Sequence, residues 1–290
     1  MSEEQLWKNY AGRHVFDAGK FALVRTPRSI SSFSWGNQPM AMVMPLDKDL
    51  LLSPNERSMI GSIQTLETPK EKPVVRKFNL TPGAEGFGIA GSMDRAGGAI
   101  KQDFAFAALP DGRTIYVDRL TATSSTQITK LVLGQLCVLN DKNWVFHDGK
   151  RVLDYENGRQ TFTAVGETAV VAKEFSSKWF CLDNKLGIVC LKTSGRQTYH
   201  PNHTQGNGRL EQIFSLNSPM LNDNPVLKPG DMFAETVLVF LPASGMKETK
   251  SVSAKCSLDQ PTQAEYNVRL SDGMTVHADL DNYQVNWNAK

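Results

Sequence analysis

Four short steps, Asp111-Gly112, Asp148-Gly149, Asn157-Gly158 and Asp272-Gly273, constrain this chain more than any other feature. Asp-Gly and Asn-Gly supply the positive backbone angles of a tight turn, so the runs on either side fold back on one another as antiparallel strands. The run 114–120 alternates Ile115 and Val117 with Tyr116 and Asp118, which predicts a strand pairing with 103–107 across the turn at 109–113. By the same logic Asp148-Gly149 joins 144–146 to 152–153, Asn157-Gly158 precedes a strand at 160–165, and Asp272-Gly273 joins 266–270 to 274–278. Longer runs at 127–139 and 233–241 are strands wide enough for a broad sheet. A mainly parallel sheet needs helical crossovers, and no helical periodicity separates these runs. The sequence therefore predicts an all-β chain: a large antiparallel β-sandwich, a small C-terminal β domain and at most one short N-terminal helix. That helix is signalled by Ser2 as cap, Gln5 as its capping-box partner and the apolar set Leu6, Trp7 and Tyr10.

Charge excludes two broad classes of partner. Lysine and arginine total 32 against 30 acidic residues, so there is no electrostatic case for binding nucleic acid or an anionic membrane. No stretch approaches the roughly 18 consecutive apolar residues of a membrane span. The polar start, Ser2 to Gln5, does not read as an export signal, which leaves a cytoplasmic protein or an exported one whose signal lies outside this sequence.

Cys137, Cys181, Cys190 and Cys256 lack zinc-type spacing. Cys181 and Cys190 flank a hairpin over 180–191 and would face each other if its turn were centred between Lys185 and Leu186. A cross-strand disulfide and two buried thiols are both compatible with that placement. Six glycines fall within 83–98, but no phosphate-loop spacing opens a helix there, so the stretch reads as a loop between strands or as bulged edges. The serine- and threonine-rich runs 29–34 and 121–126 lack the setting of a nucleophile elbow and read as strand ends.

Several of these stretches together resemble a known family. The strand Ser32-Phe33-Ser34-Trp35, the run 40–45, the turn Leu109-Pro110-Asp111-Gly112-Arg113, and the hairpin from Lys178-Trp179 through Asp183-Asn184-Lys185-Leu186-Gly187 are similar to the β region of large polysaccharide lyases. The likeness is to the heparinase II/III-like and chondroitin or hyaluronan lyase group, over most of 25–290. It implies a lead-in segment at 1–28, a β-supersandwich at 29–245 and a small C-terminal β domain at 246–290; the small, polar and charged stretch 241–251 reads by its composition as a linker or exposed loop. In that family the catalytic groups come from a helical toroid, which nothing in this chain matches. The resemblance thus implies a scaffold with a poly- or oligosaccharide as partner, a helical partner region outside this sequence, and an extracytoplasmic setting.

The densest chemistry lies in 196–209, read as a long polar loop. Abstracting a proton beside a uronate carboxyl takes a base, for which Tyr199 or His200 is the candidate, and a group that neutralises the carboxylate. Arg196, Asn202, His203 and Arg209 are the candidate ligand-binding residues. The alternative is a solvated loop packed on a neighbouring domain. His200 and His203 fall short of the three or four ligands zinc takes, so neither metal nor cofactor is expected. His14, His147 and His277 stand alone and are not nominated. Trp35, Trp144, Trp179 and Tyr155 would serve as a sugar-stacking platform if exposed, but each sits in a strand-like run where large aromatics are usually core.

Overall fold

The computed structural model describes residues 5, 10–47, 50, 58–83, 85–139, 150–163, 172–204, 210–219 and 225–288. The expected all-β sandwich is what the chain forms. In chain order the strands begin with β1 (Gly12–Phe16), β2 (Phe21–Arg25), β3 (Ser29–Ser34), β4 (Met40–Pro45), β5 (Ser62–Thr65), β6 (Val74–Pro82), β7 (Phe87–Arg95), β8 (Ile100–Ala108), β9 (Thr114–Ala122) and β10 (Thr126–Leu139). They continue with β11 (Lys150–Tyr155), β12 (Gly158–Thr163), β13 (Lys173–Phe175), β14 (Trp179–Leu182), β15 (Leu186–Thr193), β16 (Arg196–Thr204), β17 (Leu210–Ser218), β18 (Val226–Leu227) and β19 (Met232–Pro242). Helix α1 (Met246–Ser253) then leads into β20 (Ser257–Asp259), β21 (Glu265–Arg269), β22 (Thr275–Asp279) and β23 (Gln284–Asn288).

A nine-stranded sheet, ordered β12-β11-β14-β15-β19-β9-β8-β7-β6, is the centre of the molecule. Its two faces differ because successive side chains on a strand point opposite ways. Phe104 and Phe106 of β8 face a core shared with sheet β1-β2-β3-β4, through Val24, Phe33 and Val43, and with sheet β13-β16-β17-β10-β18, through Leu136, Tyr199 and Phe214. Ala105 and Ala107, on the opposite face, meet the C-terminal sheet β20-β21-β22-β23 through Tyr266, Val276, Ala278 and Val285. Large residues fill the wide sandwich gap, and alanines admit the second layer closely.

The same close approach explains the glycines of 83–98. They fall not in one loop but on and around β7, a strand inside the sheet. A Cβ on Gly88 would lie 2.5 Å from Val285 Cγ1, and one on Gly83 2.3 Å from the Trp287 ring, so glycine lets β23 lie against β7.

Two hairpins match their turn signals: β8 pairs β9 in register, Phe104 opposite Asp118, and β21 pairs β22, Asn267 opposite His277. The Asn157-Gly158 step closes β11 on β12. Asp148-Gly149 lies outside the described residues, as does most of the expected N-terminal helix, of which Gln5 and Tyr10 are helical. The stretch read as a linker is a helix from Met246 on, with Thr249 buried against Gly187, where a Cβ would sit 2.2 Å from its Oγ1. Residues 12–25, read as part of a lead-in, supply two strands of the sheet that holds β3 and β4.

Cys181 and Cys190 do not face each other. The β14–β15 turn runs through Asp183 and Asn184, both at positive φ, and sets Cys181 opposite Gly187, while the Cys190 N–H donates to Lys178 O at 2.8 Å. All four cysteines are free thiols.

Candidate functional site

Of the stretch 196–209, expected to be a loop, residues 196–204 form strand β16, and 205–209 lie outside the described residues. β16 lies between β13 and β17, with Thr198 opposite Glu174 on one side and Tyr199 opposite Phe214 on the other. Period-two alternation sends Gln197 and Tyr199 inward and Arg196 and His200 outward. Tyr199 is fully buried, its ring stacked on Phe162 at 4.1 Å between centroids and its hydroxyl donating to Gln212 Oε1. Burial pushes its pKa up, away from the phenolate a base must become. The expectation of Tyr199 as a base is corrected accordingly: the aromatic that resembled a catalytic tyrosine is a core residue with a satisfied hydroxyl.

Arg196 pairs with Glu174 at the exposed surface, and His200 is exposed on that same face. Tyr199 and His200, adjacent in sequence, therefore address opposite sides of the sheet and do not share a substrate. Asn202 and His203 belong to β16 by backbone, but their side chains, and all of Arg209, lie outside the described residues.

The aromatic platform is not assembled either. Trp179 is buried, Trp35 packs on Phe78 at 5.2 Å, and Tyr155 meets Phe175 edge-on at 5.1 Å. Trp144 lies outside the described residues.

One concave feature was not foreseen in the sequence. A groove of about 500 Å³ runs between the β14–β15 hairpin and α1, lined in part by Glu156, Lys178, Trp179, Cys190, Lys250 and Cys256. Local hydrogen bonds shape its wall: Ser177 Oγ donates to Trp179 O at 2.6 Å, and Glu156 accepts from the Lys178 N–H at 3.3 Å. Two exposed ammonium groups against one carboxylate make the rim suited to an anionic or polyhydroxylated ligand. Its thiols are not nucleophiles at neutral pH, since burial pushes Cys190 up to about 12 and also raises Cys256. The groove holds binding groups without an activated nucleophile. No sequence motif marks it, because its walls come from segments some 70 residues apart.

A smaller pocket of about 280 Å³, lined by Ser62, Lys70 and Glu71 among others, has a structural floor. Glu71 is held there by the fully buried Arg95, whose guanidinium also reaches Gln102 and the carbonyls of Ile60 and Gly61.

On the outer face of the C-terminal sheet, Glu265, His277 and Asp279 bring one ligand atom each to within 4.8 Å of the others. His277, set aside in the sequence as solitary, gains these neighbours because β21 pairs β22 with Glu265 directly opposite Asp279. Burial opposes ionisation of Asp279, but hydrogen bonds from Asn282 and from the Asp281 N–H hold its carboxyl below the ordinary value.

No protein-family model and no curated protein matches this sequence. Solved structures match the fold. The Paenibacillus xanthan lyase aligns over 93% of this chain and 29% of its own, with a TM-score of 0.60 and 9% identity. The Streptomyces coelicolor A3 chondroitin AC lyase aligns over 94% and 38%, with a TM-score of 0.51 and 12% identity. The GH36 alpha-galactosidase AgaB from Geobacillus stearothermophilus aligns over 82% and 42%, with a TM-score of 0.53 and 10% identity. The fold is thus a polysaccharide lyase-like β fold, also present in a glycoside hydrolase. This chain spans well under half the length of each of these neighbours.

Proposed function

We propose that this chain is the β-sandwich region of a carbohydrate-active, polysaccharide lyase-like protein, serving as scaffold and contributing a glycan-contacting surface. The observation that carries the reading is the alignment of nearly the whole chain with part of a xanthan lyase and part of a chondroitin AC lyase. A fold alone does not define a function. The groove beside α1 adds a binding surface, with Lys178 and Lys250 on its rim to meet an acidic sugar and Trp179 in its lining. The outward face of β16, with Arg196 and His200, is the second surface in this proposal. A helical partner region and an extracytoplasmic setting belong to the same reading, as does the finer assignment to the heparinase II/III-like or the chondroitin or hyaluronan lyase group. The alternatives are a structural domain-interaction module and a self-sufficient lyase of an acidic polysaccharide, whose base would have to be His200, since Tyr199 is enclosed in the core.

The test is binding of the purified chain to a panel of acidic and neutral polysaccharides. Saturable, salt-sensitive binding to an acidic member is expected, weakened roughly three- to tenfold when Lys178 and Lys250 are both changed to Ala. Tyr199→Phe should leave binding unchanged, and His200→Ala and Arg196→Ala report on the strand face. Absence of binding across the panel would overturn the glycan-contacting role.

A further inference from the structure

We propose that Glu265, His277 and Asp279 form a binding site for a divalent transition cation of the zinc type on the outer face of the C-terminal sheet. The proposal does not depend on the glycan reading.

The geometry comes from the sheet itself. Glu265 and Asp279 are directly opposed across β21 and β22, and His277, two residues before Asp279, points to the same face. Their ligand atoms already lie within 4.8 Å of one another. A tetrahedral ion with bonds near 2 Å holds its ligands roughly 3.3 Å apart, so a modest rotation of Glu265 toward Asp279, which Asn282 and the Asp281 N–H hold in place, closes the site. Three donors on adjacent strands leave a fourth position for water or a ligand.

Two further observations point the same way. The imidazole is oriented from behind: Asn267 Nδ2 faces Asp259 Oδ2 at 3.4 Å, which turns its Oδ1 toward His277 Nδ1 at 2.8 Å. In the tautomer protonated at Nδ1, that amide oxygen accepts from the ring and Nε2 keeps its lone pair. That is the arrangement in which metal-binding histidines are held by an outer partner. Moreover, directly opposed carboxylates repel, and among the described residues neither Glu265 nor Asp279 forms a salt bridge with lysine or arginine. A cation between them removes that repulsion. The imidazole selects for a transition ion over calcium, which takes oxygen donors in larger number.

Calorimetric titration of the full chain with zinc chloride at neutral pH tests the site, with thermal melts confirming that each variant is folded. Wild type should bind one zinc ion at this site and melt higher with zinc present. His277→Ala should abolish that binding and the gain in melting temperature, and Asn267→Ala should weaken binding by about tenfold through loss of the orienting hydrogen bond. Zinc binding as tight in His277→Ala as in wild type would place the ion elsewhere and overturn the proposal. So would saturable calcium binding without zinc binding, or no binding of either ion.

Discussion

Asp118 shows how one residue is governed by its surroundings. It is fully buried in the sandwich, accepting from Gln102 Nε2 at 2.7 Å and Tyr116 Oη at 3.0 Å. Desolvation raises its pKa to about 6, although these hydrogen bonds and the charge of Arg95 pull the other way. Because the folded value exceeds the unfolded one of about 3.9, the folded state holds the proton more tightly. Stability should therefore fall as pH rises from about 4 to about 6, where the buried carboxyl ionises. Asp118→Asn keeps an acceptor oxygen and removes the charge. Urea melts across this range should show the variant more stable than wild type at pH 7 by roughly 1–3 kcal/mol, the difference vanishing towards pH 4. The alternation around Asp118 was readable in the sequence, but the enclosure that shifts it was not. Tyr199 carries the same lesson: a tyrosine beside a histidine reads as chemistry until a second sheet closes over it.

At the scale of the element, local signals were reliable where turn chemistry and period-two alternation agreed. The β8–β9 and β21–β22 hairpins follow their Asp-Gly steps. The expected β14–β15 hairpin also forms, but Asp183 and Asn184 adopt the left-handed turn conformation and set Cys181 opposite Gly187 rather than Cys190. Thiol titration of protein unfolded without reductant should accordingly find four reactive thiols per chain. A value of two would mean that a disulfide forms despite this register. The strand at 196–204, where a loop is expected, has a related cause. Its polar residues look like a loop in isolation, yet β16 is flanked by partners on both edges, and ladder hydrogen bonds outweigh weak strand propensity.

At the scale of the whole molecule, the C-terminal sheet is docked by a seam that is apolar in the middle and charged along one side. Glu235 of β19 accepts from Tyr266 Oη at 2.6 Å and Gln260 Nε2 at 3.0 Å and pairs with Lys192 at 2.6 Å. Burial opposes its ionisation, but these three partners outweigh it and hold its carboxyl below the ordinary value. Arg119 adds bonds to Asp103 and Asp281, and Arg113 bridges Asp111 and Asp272. Glu235→Ala should cost roughly 1–3 kcal/mol and make the segment after Pro242 the first site of limited proteolysis. Unchanged melting and an unchanged digestion pattern would show that apolar contacts alone hold the seam. Antiparallel β structure, the places of several tight turns and the alternation along the best strands are legible in the residues alone, because they depend on neighbours a few positions away. Which face of each strand is buried, that α1 rather than a linker or exposed loop leads into the last sheet, that a groove opens beside it, and that Glu265, His277 and Asp279 meet are set by the fold. Those outcomes depend on sheet stacking and strand register between distant segments, which no local pattern of residues specifies.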